Sequence, residues 1–74
     1  MSTITRHDRI TVEPDKMGGQ PCIRGLRFPV ASLLRYIAAG RSREELLADF
    51  PYLEAEDIPA ALEYAADRLA GDER

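Results

Sequence analysis

The chain has 74 residues, of which 45% are apolar and 31% charged, and its formal net charge is −3 at neutral pH. That length allows one domain, and the apolar share argues for a folded globule over a disordered segment. One Cys and one His exclude an internal disulfide and a structural zinc site.

A core this small supplies only about 3–5 kcal/mol of net stability, so association is expected, as a homodimer or with a different partner protein. No apolar run approaches the roughly 18–20 residues of a membrane span, and no signal-peptide pattern is visible. The expectation is a soluble cytoplasmic protein, no membrane association, and a reduced Cys22. Charge is unevenly spread. Residues 1–43 carry eight Lys/Arg against three carboxylates, a balance of +5; residues 44–74 carry two against ten, a balance of −8. Such a split suggests two faces with two kinds of partner.

Residues 1–9 are polar and without periodicity and read as a flexible N-terminal tail, with His7 at the surface. The single domain is expected over residues 10–70, followed by a C-terminal tail at 71–74. Ile10-Thr11-Val12-Glu13 alternates as a short strand stopped by Pro14. Asp15 to Gln20, with Gly18-Gly19, reads as a loop. Cys22-Ile23, Arg24-Gly25 and Leu26-Arg27-Phe28 then read as a tight hairpin or kinked strand, Gly25 supplying a positive φ.

A first helix is expected from Pro29 or Val30 to Ala39, with Val30, Leu33, Leu34 and Ile37 on one face and Gly40 just past its end. Ser42-Arg43-Glu44-Glu45 fits a capping box opening a second helix, whose apolar face is Leu46, Leu47 and Phe50 and which Pro51 ends. A third helix is expected from the Glu54–Asp57 region to about Leu69. Its buried stripe would be Ile58, Ala61, Leu62, Ala65 and Leu69. Pro59 favours a late start or a tight turn before Asp57, which keeps it in the first turn. The fold class is therefore mainly α: a small helix-turn-helix-like three-helix domain preceded by short N-terminal β-strands or a hairpin.

No catalytic set is found, and the protein is not expected to be an enzyme. His7 has no second His and no partner group, and Cys22 in a β-prone apolar setting reads as a small core residue. The glycines at 18, 19 and 25 lack the Lys-Ser/Thr pair of a phosphate loop. Glu54, Glu56 and Asp57 are explained by the positive end of a helix dipole rather than by a metal. No metal ligand and no cofactor is assigned.

The basic residues Arg24, Arg27, Arg35, Arg41 and Arg43 cluster around the hairpin and the first two helices. They are candidate DNA contacts, since guanidinium groups on rigid elements suit phosphates. For Arg24 and Arg27 an alternative stands beside it: pairing with Asp or Glu of the acidic half. The third helix has no Asn, Gln or Lys and carries Glu56, Glu63 and Asp67 outward. Carboxylates repel a phosphate backbone, so these three are candidates for contact with a basic protein partner.

Gly18-Gly19-Gln20-Pro21-Cys22-Ile23-Arg24-Gly25-Leu26-Arg27-Phe28-Pro29-Val30 closely resembles the signature of the family catalogued as domain of unknown function 433. The resemblance continues through Gly40, Ser42-x-x-Glu45-Leu46-Leu47, Phe50-Pro51-x-Leu53 and Glu56-Asp57-Ile58-x-Ala60-Ala61-Leu62-x-Tyr64-Ala65, covering about residues 10 to 69. It implies a small helix-turn-helix-like domain with N-terminal strands, acting as a prokaryotic antitoxin paired with a PIN-like ribonuclease toxin; operator DNA is a further expected partner on the strength of the arginine cluster and the helix-turn-helix pattern. The chain departs from the family pattern at Leu26, where Thr is usual, at Glu54, where a Ser or Thr cap is usual, and at Pro59.

Overall fold

The β-prone segments at Ile10 and Cys22 form the two strands of a small antiparallel sheet in the computed structural model, which describes residues 7–71. Strand β1 (Ile10–Val12) pairs with β2 (Pro21–Ile23), placing Ile10 opposite Ile23, Thr11 opposite Cys22 and Val12 opposite Pro21. Pro21 opens its strand, a position where the missing N–H is tolerated. The connection passes through a 3-10 turn at Met17–Gly19, with Gly18 and Gly19 at φ 70° and 81°.

The hairpin or kinked strand expected over Cys22-Ile23 to Leu26-Arg27-Phe28 is made only in part, and the full ladder of β2 is with β1. The returning arm contributes one Ile23 N–H to Phe28 carbonyl bond of 3.0 Å and a bridge between Cys22 and Pro29. Pro29 has no N–H to extend that ladder, and the next residue is already helical. The tight turn itself forms as expected. Arg24 and Gly25 both have positive φ (43° and 73°), and the Leu26 N–H closes on the Ile23 carbonyl at 2.7 Å. Two consecutive positive-φ residues match the right-handed twist of the flanking strands.

Helix α1 (Val30–Ala38) begins after Pro29, which is extended (φ −65°, ψ 145°) and caps the helix rather than forming its first turn. At its other end the Gly40 N–H reaches the Ile37 carbonyl and the Arg41 N–H reaches Tyr36, with Gly40 at φ 92°. That is the Schellman arrangement, which satisfies two orphan carbonyls. Helix α2 (Arg43–Asp49) opens on the expected capping box: Ser42 Oγ accepts from the Glu45 N–H at 3.1 Å, and Glu45 Oε1 accepts from the Ser42 N–H at 2.8 Å. Helix α3 (Asp57–Gly71) follows a tight turn in which the Asp57 N–H bonds the Glu54 carbonyl at 2.9 Å. Pro59 thus lies in the first turn, and the Ala55 carbonyl it leaves unserved takes the Ile58 N–H at 3.3 Å.

The core is Ile23, Phe28, Val30, Leu33, Leu46, Leu53, Ile58 and Ala61. Helix α1 packs against both β2 and α3, and β1 also touches α3. The stripe expected to be buried along α3 is buried only at its start. Ile58 and Ala61 are enclosed, but Leu62 is 45% and Leu69 75% exposed. For Leu69 the reason is length: at about 1.5 Å per residue, the 9 residues of α1 span about 13 Å and the 15 of α3 about 22 Å, so the C-terminal end of α3 projects past the other described elements. Leu62, only six residues into α3, is exposed because it lies about 100° round the helix from the enclosed Ala61. Among the described residues no helix is long and apolar enough to cross a membrane. The tail expected over residues 1–9 and that over 71–74 lie largely outside the described residues.

Candidate functional site

Asp57 is the one charged side chain among the described residues that is fully buried, and four backbone and side-chain groups hold it there. Arg24 grips it with Nε 3.1 Å from Oδ1 and Nη2 3.0 Å from Oδ2. Arg9 Nη1 donates to Oδ1 at 2.9 Å, and the Glu54 N–H donates to Oδ2 at 2.9 Å. Glu54 in turn accepts from Arg9 Nη1 at 2.8 Å, and Arg24 Nη2 donates to the Tyr52 carbonyl at 2.8 Å. Local backbone geometry makes this possible. The Arg24 N–H bonds the Arg9 carbonyl at 2.8 Å, continuing the β1/β2 ladder one step, so both arginines leave the same end of the sheet. The Asp57 carboxylate accepts from the backbone N–H three residues before it, across the tight turn that enters α3.

Burial alone raises the Asp57 carboxyl. The hydrogen bonds from Arg24, the Glu54 N–H and Arg9 outweigh it, so the group is held below its ordinary value. The reciprocal effects raise Arg9, chiefly through Glu54 and then Asp57, and raise Arg24 through Asp57. Both carboxylate oxygens already accept two donors, which uses the group's ordinary capacity. The cluster is thus a fastening between the sheet and the α2–α3 turn, with no lone pair left for a substrate.

The structure separates the candidate phosphate contacts. The side chain of Arg24 is turned inward to Asp57, as its pairing alternative anticipated. Arg41 pairs with Glu45 and Asp49 along α2. Arg27, Arg35 and Arg43 are exposed. Arg27 Nη1 contacts Met17 Sδ at 3.7 Å, and none of these three pairs with a carboxylate among the described residues. The Glu45 carboxylate occupies the N-terminus of α2 beside Arg43. Of the candidate partner contacts, Glu56 is exposed and 3.8 Å from Arg9, and Glu63 is exposed on α3. Asp67 accepts from His7 Nε2 at 2.9 Å. His7 is half-buried, its ring edge-on to Tyr64 at 5.2 Å, which departs from the expected surface position because α3 offers it both an acceptor and an aromatic face.

A second feature was not anticipated from the sequence. Four of the five Phe and Tyr residues converge at one end of the molecule. Phe28 stands edge-to-face on Phe50 (4.9 Å, 86°), Tyr52 (6.2 Å, 69°) and Tyr36 (6.4 Å, 64°). They wall an open cleft of about 280 Å³ with Arg27 and Ser32 on its lining. The signal was Phe50-Pro51-Tyr52, where a proline turn sets two rings near each other, but their meeting with Phe28 and Tyr36 is tertiary. Among the described residues no three His, Cys, Asp or Glu side chains converge as metal ligands.

Comparison with known proteins places these features in a family. The family model described as Protein of unknown function (DUF433) matches residues 10–65. The uncharacterized protein y4eO of Sinorhizobium fredii is 44% identical over 66 residues; the match covers 88% of this chain but 30% of that protein. The crystal structure of a DUF433 member protein from Anabaena variabilis superposes with a TM-score of 0.79 at 39% identity, over 90% of this chain and 66% of that one. The chain therefore spans less than a third of the curated relative and about two thirds of the solved one. The match of the family model across most of the chain, with the same fold in a solved member, shows that this protein belongs to the DUF433 family.

Proposed function

We propose that the protein is the antitoxin of a type II toxin–antitoxin pair, neutralising a PIN-like ribonuclease by direct binding and repressing its own operon. The action is stoichiometric, by occlusion of the nuclease and not by chemistry. One observation carries the reading: Leu62 and Leu69 of α3 are exposed, on a surface that also carries Ala66, Glu63 and Arg68. A small domain gains from covering such apolar positions, and a partner with apolar contacts ringed by basic groups complements them. Two such helices brought together also give the homodimer expected of a short chain.

The DNA half rests on Arg27, Arg35 and Arg43, which remain exposed, while Arg24 and Arg41 serve internal pairs. Binding to promoter DNA should weaken with salt, with a shallower slope after Arg43→Ala. No binding to its own promoter at low salt, with or without the toxin, removes that half. A second reading, an interaction module or regulator without a toxin partner, is favoured by the Glu45 carboxylate seated at the α2 N-terminus, where a phosphate would otherwise bind. Purifying the protein with the product of the adjacent gene distinguishes the two: a stoichiometric complex lacking ribonuclease activity supports the antitoxin, and separate elution supports the module.

A further inference from the structure

The aromatic rings of the cleft have no part in the reading above, although Arg27 at its lining is one of the three arginines offered there to DNA, and no residue of α3 lines it. Its volume, about 280 Å³, falls just below the range of about 300–1,000 Å³ typical of small-molecule and cofactor pockets. It suits one or two side chains. Phe28 forms its buried base, and Tyr36, Phe50 and Tyr52 form its walls, Tyr52 being 52% exposed. Arg27 supplies a positive charge at the lining, and among the described residues no carboxylate lines the cleft. The guanidinium touches only the Met17 thioether, a weak acceptor, among the described residues. Its remaining N–H donors therefore face solvent beside an aromatic hollow.

We propose that this cleft is a docking pocket for an acidic peptide segment of a partner protein: an aromatic or large aliphatic side chain enters between the rings, and a neighbouring Asp or Glu pairs with Arg27. Aromatic residues and arginine are the side chains that anchor protein interfaces. The charge at the lining selects an acidic neighbour by complementarity, since a basic one meets Arg27 as a like charge. A nucleobase is the weaker fit. The rings pack edge-to-face on one another around a hollow, whereas single-stranded nucleic acid needs open stacking faces along a basic groove.

The test is a titration of the ¹⁵N-labelled protein with N-acetyl-Phe-Glu-Glu-amide, followed by amide chemical shifts. Controls are N-acetyl-Phe-Lys-Lys-amide, N-acetyl-Gly-Glu-Glu-amide and hexathymidylate. The acidic aromatic peptide should shift Arg27, Ser32, Tyr36 and Tyr52, and bind at least about tenfold more tightly than the basic or glycine peptide. Arg27→Glu should erase the preference for the acidic peptide, and Tyr52→Ala should weaken binding of both aromatic peptides. Both side chains are exposed, and a native-like spectrum checks each variant, with Arg27→Gln as the substitute where Glu disturbs the fold. Equal binding of acidic and basic peptides, shifts confined to other surfaces, or no shifts at millimolar peptide overturn the proposal. So does hexathymidylate perturbing the cleft in preference to the peptide, which would make it a nucleic-acid surface. None of these results bears on whether α3 binds a nuclease.

Discussion

Replacing Asp57 by Asn keeps the size of the side chain and removes its charge, so it tests the fastening between sheet and helices directly. The carboxylate is fully buried and accepts from Arg24, Arg9 and the Glu54 N–H. An amide in its place has one acceptor oxygen, and its NH₂ meets donors on the other side. Removing one member of a buried ion pair costs about 3–5 kcal/mol. The Arg9 and Arg24 side chains are 31% and 28% exposed and can partly rehydrate, which places the loss near the lower end, about 3 kcal/mol. That is most of the about 3–5 kcal/mol that a core this small supplies. The assays are urea unfolding and thermal unfolding at neutral pH, both followed by far-ultraviolet circular dichroism. The thermal midpoint should fall by about 12–24 °C, at about 4–8 °C per kcal/mol. A loss below about 1 kcal/mol, the range of an exposed ion pair, would refute the claim that this cluster fastens the fold.

The same cluster gives a pH dependence. Because the Asp57 carboxyl is held below its ordinary 3.8, its contribution is complete above that value and is lost as the pH falls through the lower, folded value. Urea midpoints of the native protein should drop steeply in that acid window, and those of Asp57→Asn much less; parallel curves contradict the assignment. Arg24→Gly should be more stable than Arg24→Ala by about 1–2 kcal/mol, since both lose the pair but only Gly relieves the left-handed backbone at φ 43°; equal urea midpoints refute that strain. Ser42→Ala should lower stability by about 1 kcal/mol through the capping box, measured by the same unfolding curves. Leu69→Asp, at a position 75% exposed, should change stability by no more than about 0.5 kcal/mol while weakening partner binding.

Local features were legible in the sequence, and long-range ones were not. Ser42 and Glu45 lie three residues apart, and their capping box needs only a helix between them. Gly40 and Gly25 take positive φ where a helix ends and a two-residue turn closes. The start of α3 could be reasoned from Pro59, because a missing N–H is harmless only in a first turn. The Arg24–Asp57 pair joins residues 33 apart, and its formation depends on how the sheet docks on α3. The clustering of the arginines puts phosphate contact ahead of pairing, and nothing local in the sequence marks Asp57 as the partner of Arg24. Arg9 was passed over because its segment lacks periodicity, although the sheet ladder holds it beside Arg24. The burial of Leu69 was misjudged for a related reason: helical periodicity assigns a face, but the length of neighbouring elements decides how much of that face is covered. Leu62 lies at the edge of that face, next to the enclosed Ala61, where periodicity alone does not fix burial.

The role of the outer face of α3 is tested most directly by co-expression with the product of the adjacent gene, followed by light-scattering chromatography and a ribonuclease assay. The account predicts a PIN-like nuclease that co-elutes in a stoichiometric complex with its activity silenced, and that is released and active when Leu62 and Leu69 are both replaced by Asp. An unrelated neighbour, or a nuclease that elutes alone and stays active beside the native protein, contradicts the proposed function. A complex unaffected by the double substitution contradicts the assignment of α3 as its surface.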